Sequence, residues 1–268
     1  MAKAIKHIKA GELHIEVIGQ IPDQEHKRRS ARTRRTSPAQ AFYNNKCSWQ
    51  ELELVIATNF TNDDWVVTYT YDNDHLPKDK KAAQKELQKH FRKVRAVRRL
   101  RGADLLYAYT TEGYHRKSAV NFLGEDGYLE DGRLHHHVVL NGLGPGDREE
   151  LQSLWHGGGY IRVEPLDLRY VRELAKYMTK EAREFGRPKP GERTWNASRN
   201  LKKYEVTYEE IRSNSVTLAA PPGAEYCTAF DEVNPYGFGH CTGIRYFLRE
   251  QRPRRRYSYN LGRRPKIE

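Results

Sequence analysis

The stretch Arg133-Leu134-His135-His136-His137-Val138-Val139-Leu140-Asn141-Gly142 sets the tightest limit on what this chain can fold into. Three consecutive histidines that run straight into Val-Val-Leu read as a β-strand with a buried apolar end. Successive side chains of an extended chain point to opposite faces, so His135 and His137 share one face and His136 takes the other. Two imidazoles two residues apart on one strand face are well placed to grip one metal ion, but paired imidazoles are also ordinary polar strand residues. The stretch alone leaves both readings open. An affinity tag does not fit, because the run is short, internal and flanked by apolar residues.

The partner class follows from charge. A net charge of +12 points to a polyanion, either nucleic acid or an anionic membrane surface. Seventeen tyrosines spread among the arginines favour nucleic acid, since rings stack on bases and guanidinium groups hold phosphates. No apolar run reaches the roughly eighteen residues of a membrane span, and the first residues lack a signal-peptide segment, so the expectation is a cytoplasmic protein without a membrane partner. Cys47, Cys227 and Cys241 have neither zinc-ribbon spacing nor disulfide-scaffold density and read as reduced, incidental thiols. At 268 residues the chain is long enough to bury a real core.

Read in order, residues 11–18 alternate as a half-buried strand does, and 27–35 form a basic run in which Arg28, Arg29, Arg34 and Arg35 are candidate phosphate contacts. Ser37-Pro38 starts a helix that runs to about Asn59. Trp65 to Tyr71 is a β-branched and aromatic strand suited to the middle of a sheet. Residues 78–101 read as a helix with Leu87, Phe91, Val94 and either Val97 or Arg98 on one stripe and a basic opposite face. Asp104 to Glu112 is a strand expected to pair antiparallel with the histidine strand. Asp147 is expected to cap a short helix through Trp155, Tyr160 to Glu164 to form a strand, and Asp167 to cap a last helix. That helix has Leu168, Val171, Ala175 and Met178 on its apolar stripe and Glu173, Lys176, Tyr177 and Lys180 on its polar face. The tail is aromatic and weakly periodic, ending in the basic run 252–256. The ordering predicts an α+β fold, a central antiparallel β-sheet with helices packed on its faces. The expected organisation is an N-terminal strand, basic arm and helix over 1–60, a core over 61–190 and a basic, aromatic extension over 191–268.

Taken together, the strand Val66-Val67-Thr68-Tyr69-Thr70-Tyr71, the run His135-His136-His137-Val138-Val139-Leu140 and the segment Tyr177-Met178-Thr179-Lys180 resemble the three ordered motifs of the HUH endonucleases, the rolling-circle replication initiators of plasmids, phages and integrative elements. Ser37 to Ala41 and Thr194 to Leu201 look like flanking signatures of bacterial replication proteins. The resemblance implies an HUH-like fold and a metal-dependent, sequence-specific nuclease that nicks and rejoins single-stranded DNA. It implies a divalent ion, Mg²⁺ or Mn²⁺, on His135 and His137, with Glu112 as the third ligand. It further implies attack by the Tyr177 phenol to give a 5′-phosphotyrosyl link, with Lys180 contacting the phosphate or steadying the phenolate. Where some initiators carry a second tyrosine, this chain has Glu173, which places it in the single-tyrosine class and offers a base for the terminating hydrolysis. Lys176 beside Tyr177 is expected to meet DNA, and an apolar replacement of His136, which points away, is expected to leave nicking largely intact.

The expected partners are a single-stranded origin with a hairpin and, because no phosphate-binding Gly-x-x-x-x-Gly-Lys-Ser/Thr loop is present, a host helicase and DNA polymerase. The alternatives are an HUH transposase or relaxase, which differ in length or in the position of the tyrosine, and a non-catalytic nucleic-acid-binding protein, which needs neither Tyr177 nor the histidine pair. A two-histidine, one-carboxylate iron oxygenase leaves the basic runs unexplained.

Overall fold

The computed structural model describes residues 3–20, 37–116, 129–144, 146–181, 193–211, 216–233 and 240–249. The basic arm with Arg28, Arg29, Arg34 and Arg35, and the basic run 252–256, lie outside them. The fold is α+β, built on two five-stranded antiparallel sheets. Among the described residues one compact unit takes those of Phe60–Asp167 and Arg193–Asn200, and a second takes those of Met1–Asn59, Leu168–Glu192 and Leu201–Gln251.

The second unit opens with a hairpin, β1 (Lys3–Ala10) and β2 (Leu13–Gln20), followed by the helix α1 (Pro38–Asn59). The helix starts as Ser37-Pro38 predicts, with Ser37 Oγ accepting from the Gln40 amide at 3.3 Å. The first unit then supplies β3 (Trp65–Tyr71), α2 (Lys80–Leu100), β4 (Tyr107–Arg116), β5 (Leu129–Leu140), α3 (Asp147–Leu154) and β6 (Gly158–Pro165). After a 3₁₀ turn over Leu168–Tyr170 comes α4 (Val171–Met178), back in the second unit. The short strand β7 (Asn196–Ala197) closes the first unit, and β8 (Glu205–Glu210), β9 (Glu225–Val233) and β10 (His240–Phe247) complete the second.

In the first unit the strand order is β6-β3-β5-β4-β7, which makes β3 and the histidine strand β5 central neighbours and β4 the antiparallel partner of β5. Alternation then sorts the side chains onto two faces. Val67, Tyr69, Tyr71, Tyr107, Tyr109, Val138, Leu140 and Ile161 form the core face, covered by Ala83, Leu87, Phe91 and Val94 of α2 and by Leu151 and Trp155 at α3. Burying each large apolar side chain there contributes about 1.5–3 kcal/mol. The opposite face carries Thr68 and Thr70 of β3, Thr110 and Glu112 of β4, and His135 and His137 of β5.

Two expected caps differ. Asp147 is the first residue of α3, not its cap; Gly146, with φ 92°, occupies the cap position. The Asp147 carboxylate instead accepts from Leu143 N at 2.6 Å, Gly144 N at 3.2 Å and Trp65 Nε1 at 2.7 Å, holding the turn after β5. Ahead of α4, the turn from Leu168 intervenes, so Tyr170 rather than Asp167 is its cap residue.

In the second unit the order β8-β1-β2-β10-β9 assembles a sheet from both ends of the sequence. One face packs on α1: Arg245 of β10 pairs with Glu53 at 2.7 Å, and Lys46 of α1 and Arg172 of α4 both pair with Glu232 of β9. Burial raises the Glu53 pKa above the ordinary carboxylate value, against the pull of Arg245. None of the described helices is long and apolar enough to cross a membrane.

Candidate metal centre and tyrosine helix

The registers of β4 and β5 bring three donors together. Glu112 lies directly opposite His135, and His137 follows on the same face of β5. Their ligand atoms all lie within 4.8 Å of one another. Glu112 Oε2 is 3.2 Å from His135 Nε2, and Glu112 Oε1 is 3.8 Å from His137 Nε2. The register of β4 shifts between Glu112 and Tyr114, at Gly113, an irregularity of the kind that re-aims a strand-end side chain. A Cβ on Gly113 would meet Leu134 Cδ2 at 2.9 Å, so the bend favours glycine.

The donor chemistry fits a divalent ion. His135 Nδ1 lies 2.9 Å from the Arg133 carbonyl, which can only accept; that nitrogen therefore carries the proton and Nε2 keeps its lone pair for Glu112's side. His137 Nδ1 lies 3.2 Å from Thr68 Oγ1, which can hold the same tautomer. Glu112 is 2 % exposed, His137 is buried and His135 is half-buried, so the centre is sheltered on the β4 side. Two neutral imidazoles and one carboxylate can hold a metal ion. Thr68 as the support of His137 was not singled out from the sequence, although its place in the apolar-Thr-apolar-Thr strand was a signal for it.

His136 does point away, and it is not a neutral spectator. It is completely buried, with Nε2 2.7 Å from Tyr71 Oη and Nδ1 2.9 Å from Thr111 Oγ1. Tyr71 Oη in turn donates to the Ala83 carbonyl at 3.2 Å, which fits a chain running from the Thr111 hydroxyl through the imidazole to the phenol. Burial, with His135 and His137 nearby, lowers the His136 pKa to about 3, so the ring is neutral. An apolar replacement would leave the Tyr71 and Thr111 hydroxyls short of a partner beneath the metal face, a cost to stability that the sequence did not show.

Tyr177 and Lys180 lie in the other unit, at α4. The apolar stripe Leu168, Val171, Ala175 and Met178 is buried as the spacing predicts, and Tyr177 on the polar side is 47 % exposed. Lys180, just past the Thr179 cap residue, sets its ammonium 3.8 Å from the Tyr177 ring centroid. Glu173, one turn before Tyr177, is exposed. Lys176 lies 5.1 Å over the ring of Trp49 on α1, a position it shares with Arg172 at 5.3 Å. Trp49 as the seat of these cations had no signature in the sequence.

Thr194 to Leu201 contributes β7 and a clamp on the β4 edge: the Ser198 amide donates to the Tyr107 carbonyl at 2.9 Å, and the Tyr107 amide donates to Ser198 Oγ at 3.2 Å. Residues 64–182, a little under half of the chain, match the model of a family described as replication-associated protein. That span contains β3, Glu112, His135, His137, Tyr177 and Lys180. No curated protein and no solved structure matches the chain. The family match, with a triad able to hold a metal, supports a replication initiator.

Proposed function

We propose that the chain initiates rolling-circle replication by nicking and rejoining single-stranded DNA at an origin. The observation that carries this reading is the convergence of Glu112, His135 and His137 on adjacent strands within a span that matches a replication-associated family. Glu112, His135 and His137 would hold a divalent ion, Mg²⁺ or Mn²⁺, and such an ion supplies Lewis-acid stabilisation of the scissile phosphate's non-bridging oxygens.

Tyr177 is the nucleophile in this reading. Its phenolic oxygen bonds to phosphorus, the bond from phosphorus to the 3′ oxygen breaks, and that oxygen leaves as a protonated 3′-hydroxyl able to prime synthesis. The reverse attack by a 3′-hydroxyl rejoins the strand without an external energy source. Lys180, its ammonium against the Tyr177 ring, contacts the phosphate or steadies the oxygen of Tyr177 as the new bond forms. Glu173 takes a proton from water in the terminating hydrolysis. Lys176, Arg28, Arg29, Arg34 and Arg35 hold flanking phosphates. The chain works in the cytoplasm on an origin with a hairpin and depends on a host helicase and DNA polymerase.

The test is incubation of the full chain with end-labelled single-stranded origin candidates and Mn²⁺. Wild type is expected to give a protein–DNA adduct that survives denaturation, and Tyr177→Phe to give none. An adduct of unchanged yield in Tyr177→Phe would move the nucleophile elsewhere, and nicking without any adduct would overturn the phosphotyrosyl route.

A further inference from the structure

Exposure across the metal-bearing face of the first unit rises in one direction. Thr110 and Glu112 on β4 are buried, His137 is buried and His135 half-buried on β5, Thr68 and Thr70 on β3 are half-buried, and Tyr160 and Arg162 on the edge strand β6 are exposed. The open side of the candidate metal centre therefore looks towards β6. Pairing lines these residues up in two rows. One runs Arg162, Thr68, His137, Thr110; the other runs from Tyr160 to Thr70, His135 and Glu112.

β6 offers there what a nucleotide needs. Ile161 and Val163 turn into the core, so alternation sends Tyr160 and Arg162 to the metal side. Tyr160 is 62 % exposed, a large ring left in solvent, and the Arg162 side chain is equally open, with a surface pairing to Glu164 at 2.7 Å. The backbone beneath them is fixed. Thr70 Oγ1 donates to the Tyr160 carbonyl at 2.7 Å, and the Asp72 amide donates to the Gly157 carbonyl at 3.0 Å. Gly158, with φ 67°, and Gly159 press β6 against β3 so closely that a Cβ on Gly159 would lie 2.5 Å from the Thr70 backbone. An exposed aromatic ring on a rigid strand is a stacking platform that loses little entropy on binding.

We propose that Tyr160 and Arg162 form a nucleotide-binding subsite on β6, with a base stacked on the Tyr160 ring and its phosphate on the Arg162 guanidinium. It receives the strand as it crosses β3 to the metal centre. β6 lies two strand spacings, about 10 Å, from β5, so the bound nucleotide is one or two away from the phosphate being cut. The ligand is single-stranded, because a duplex hides the base faces that a ring must stack on. This inference rests on the proposed nicking activity for its substrate, but it is read by binding alone.

The experiment is fluorescence anisotropy of the full chain with a fluorescein-labelled dT 12-mer in EDTA, across a salt series. Tyr160→Ala is expected to weaken binding about 5- to 100-fold, while Tyr160→Phe, which keeps the ring, stays within about twofold of wild type. Arg162→Ala is expected to lower the slope of log affinity against log salt by about 0.7, the value for one phosphate contact on a single strand, and Arg162→Lys to keep that slope. Binding of a 12-base-pair duplex should not respond to Tyr160→Ala. Wild-type affinity in Tyr160→Ala, with the thermal midpoint unchanged, would overturn the subsite even if the chain nicks DNA. Loss of affinity in Tyr160→Ala but not in Tyr160→Phe would uphold it even if Tyr177 forms no adduct.

Discussion

His90 is a histidine that the fold keeps uncharged. It lies on the core side of α2, with Nε2 3.0 Å from Tyr69 Oη and Nδ1 3.3 Å from the Leu154 carbonyl, and edge-on to Trp155. Burial, with lesser contributions from nearby cations, lowers its pKa to about 4. The unfolded chain takes up a proton on this ring near pH 6.5 and the folded one near 4, so between those values the unfolded state binds more protons. Stability is full above pH 6.5 and falls as the pH drops towards 4, by about 3 kcal/mol in total. Urea titrations across this window should show that loss, and His90→Gln should remove the share of it that belongs to His90. A wild-type profile level from pH 7 to 4 would contradict a neutral, buried His90. His136 adds to the same trend, since its pKa is also lowered by burial. Neither ring's role was legible in the sequence, because helical spacing for His90 and strand alternation for His136 tell which face a histidine takes but not what hydroxyl waits there.

At the scale of elements, the long helix α2 shows what periodicity resolves and what it misses. The stripe Leu87, Phe91 and Val94 is buried as its spacing predicts. At its end Val97 and Arg98 compete, and hydropathy favours valine, yet Arg98 is fully buried. Polar partners decide it: Arg98 Nη1 donates to the Asn141 carbonyl and to Asn141 Oδ1 at 2.8 Å, and its Nη2 lies 3.9 Å from Asp147. Asn141 at the end of the histidine strand also accepts from the Leu106 amide at 2.8 Å and donates to the Asp104 carbonyl at 2.9 Å. The knot thus ties α2, β4, β5 and α3 together at the end of β5 opposite the histidines. Arg98→Leu is expected to cost about 3–5 kcal/mol, as breaking a buried charged network does, measured as a shift in the urea midpoint. A loss under about 1 kcal/mol would mean that the site can do without the guanidinium.

Across the whole molecule, the strands that build the metal face were legible because β3 is a short run of β-branched and aromatic residues, and β4 and the end of β5 carry apolar runs that alternation sorts onto faces. Of the second sheet only β2 was, through the alternation of residues 11–18. β8 is exposed along its full length, so no alternation marks it, and its partner β1 is on the far side of the sequence, with Thr207 opposite His7. The strands β9 and β10 mix charged, small and aromatic residues too evenly to stand out in the tail. The two units also draw on separated segments, which composition along the chain does not reveal. A chain of residues 60–167 joined by a glycine-serine linker to 193–200 is expected to unfold cooperatively in a thermal scan. Residues 61–190 alone, which lack β7 and Ser198, should give a broader transition at lower temperature. Equal transitions would mean that the β7 clamp contributes nothing.

The pairing of β1 with β8 also sets a timetable for synthesis. His7 meets Glu209 across a separation of 202 residues. At ribosomal speeds of about 5–20 residues per second, the first hairpin waits roughly 10–40 s before β8 has even been made. During that interval its outer edge offers unpaired amides and carbonyls to any neighbouring nascent chain. Lys6 and Lys9 lie along that strand, one on each face, and like-charge repulsion between copies guards the edge until its own partner arrives.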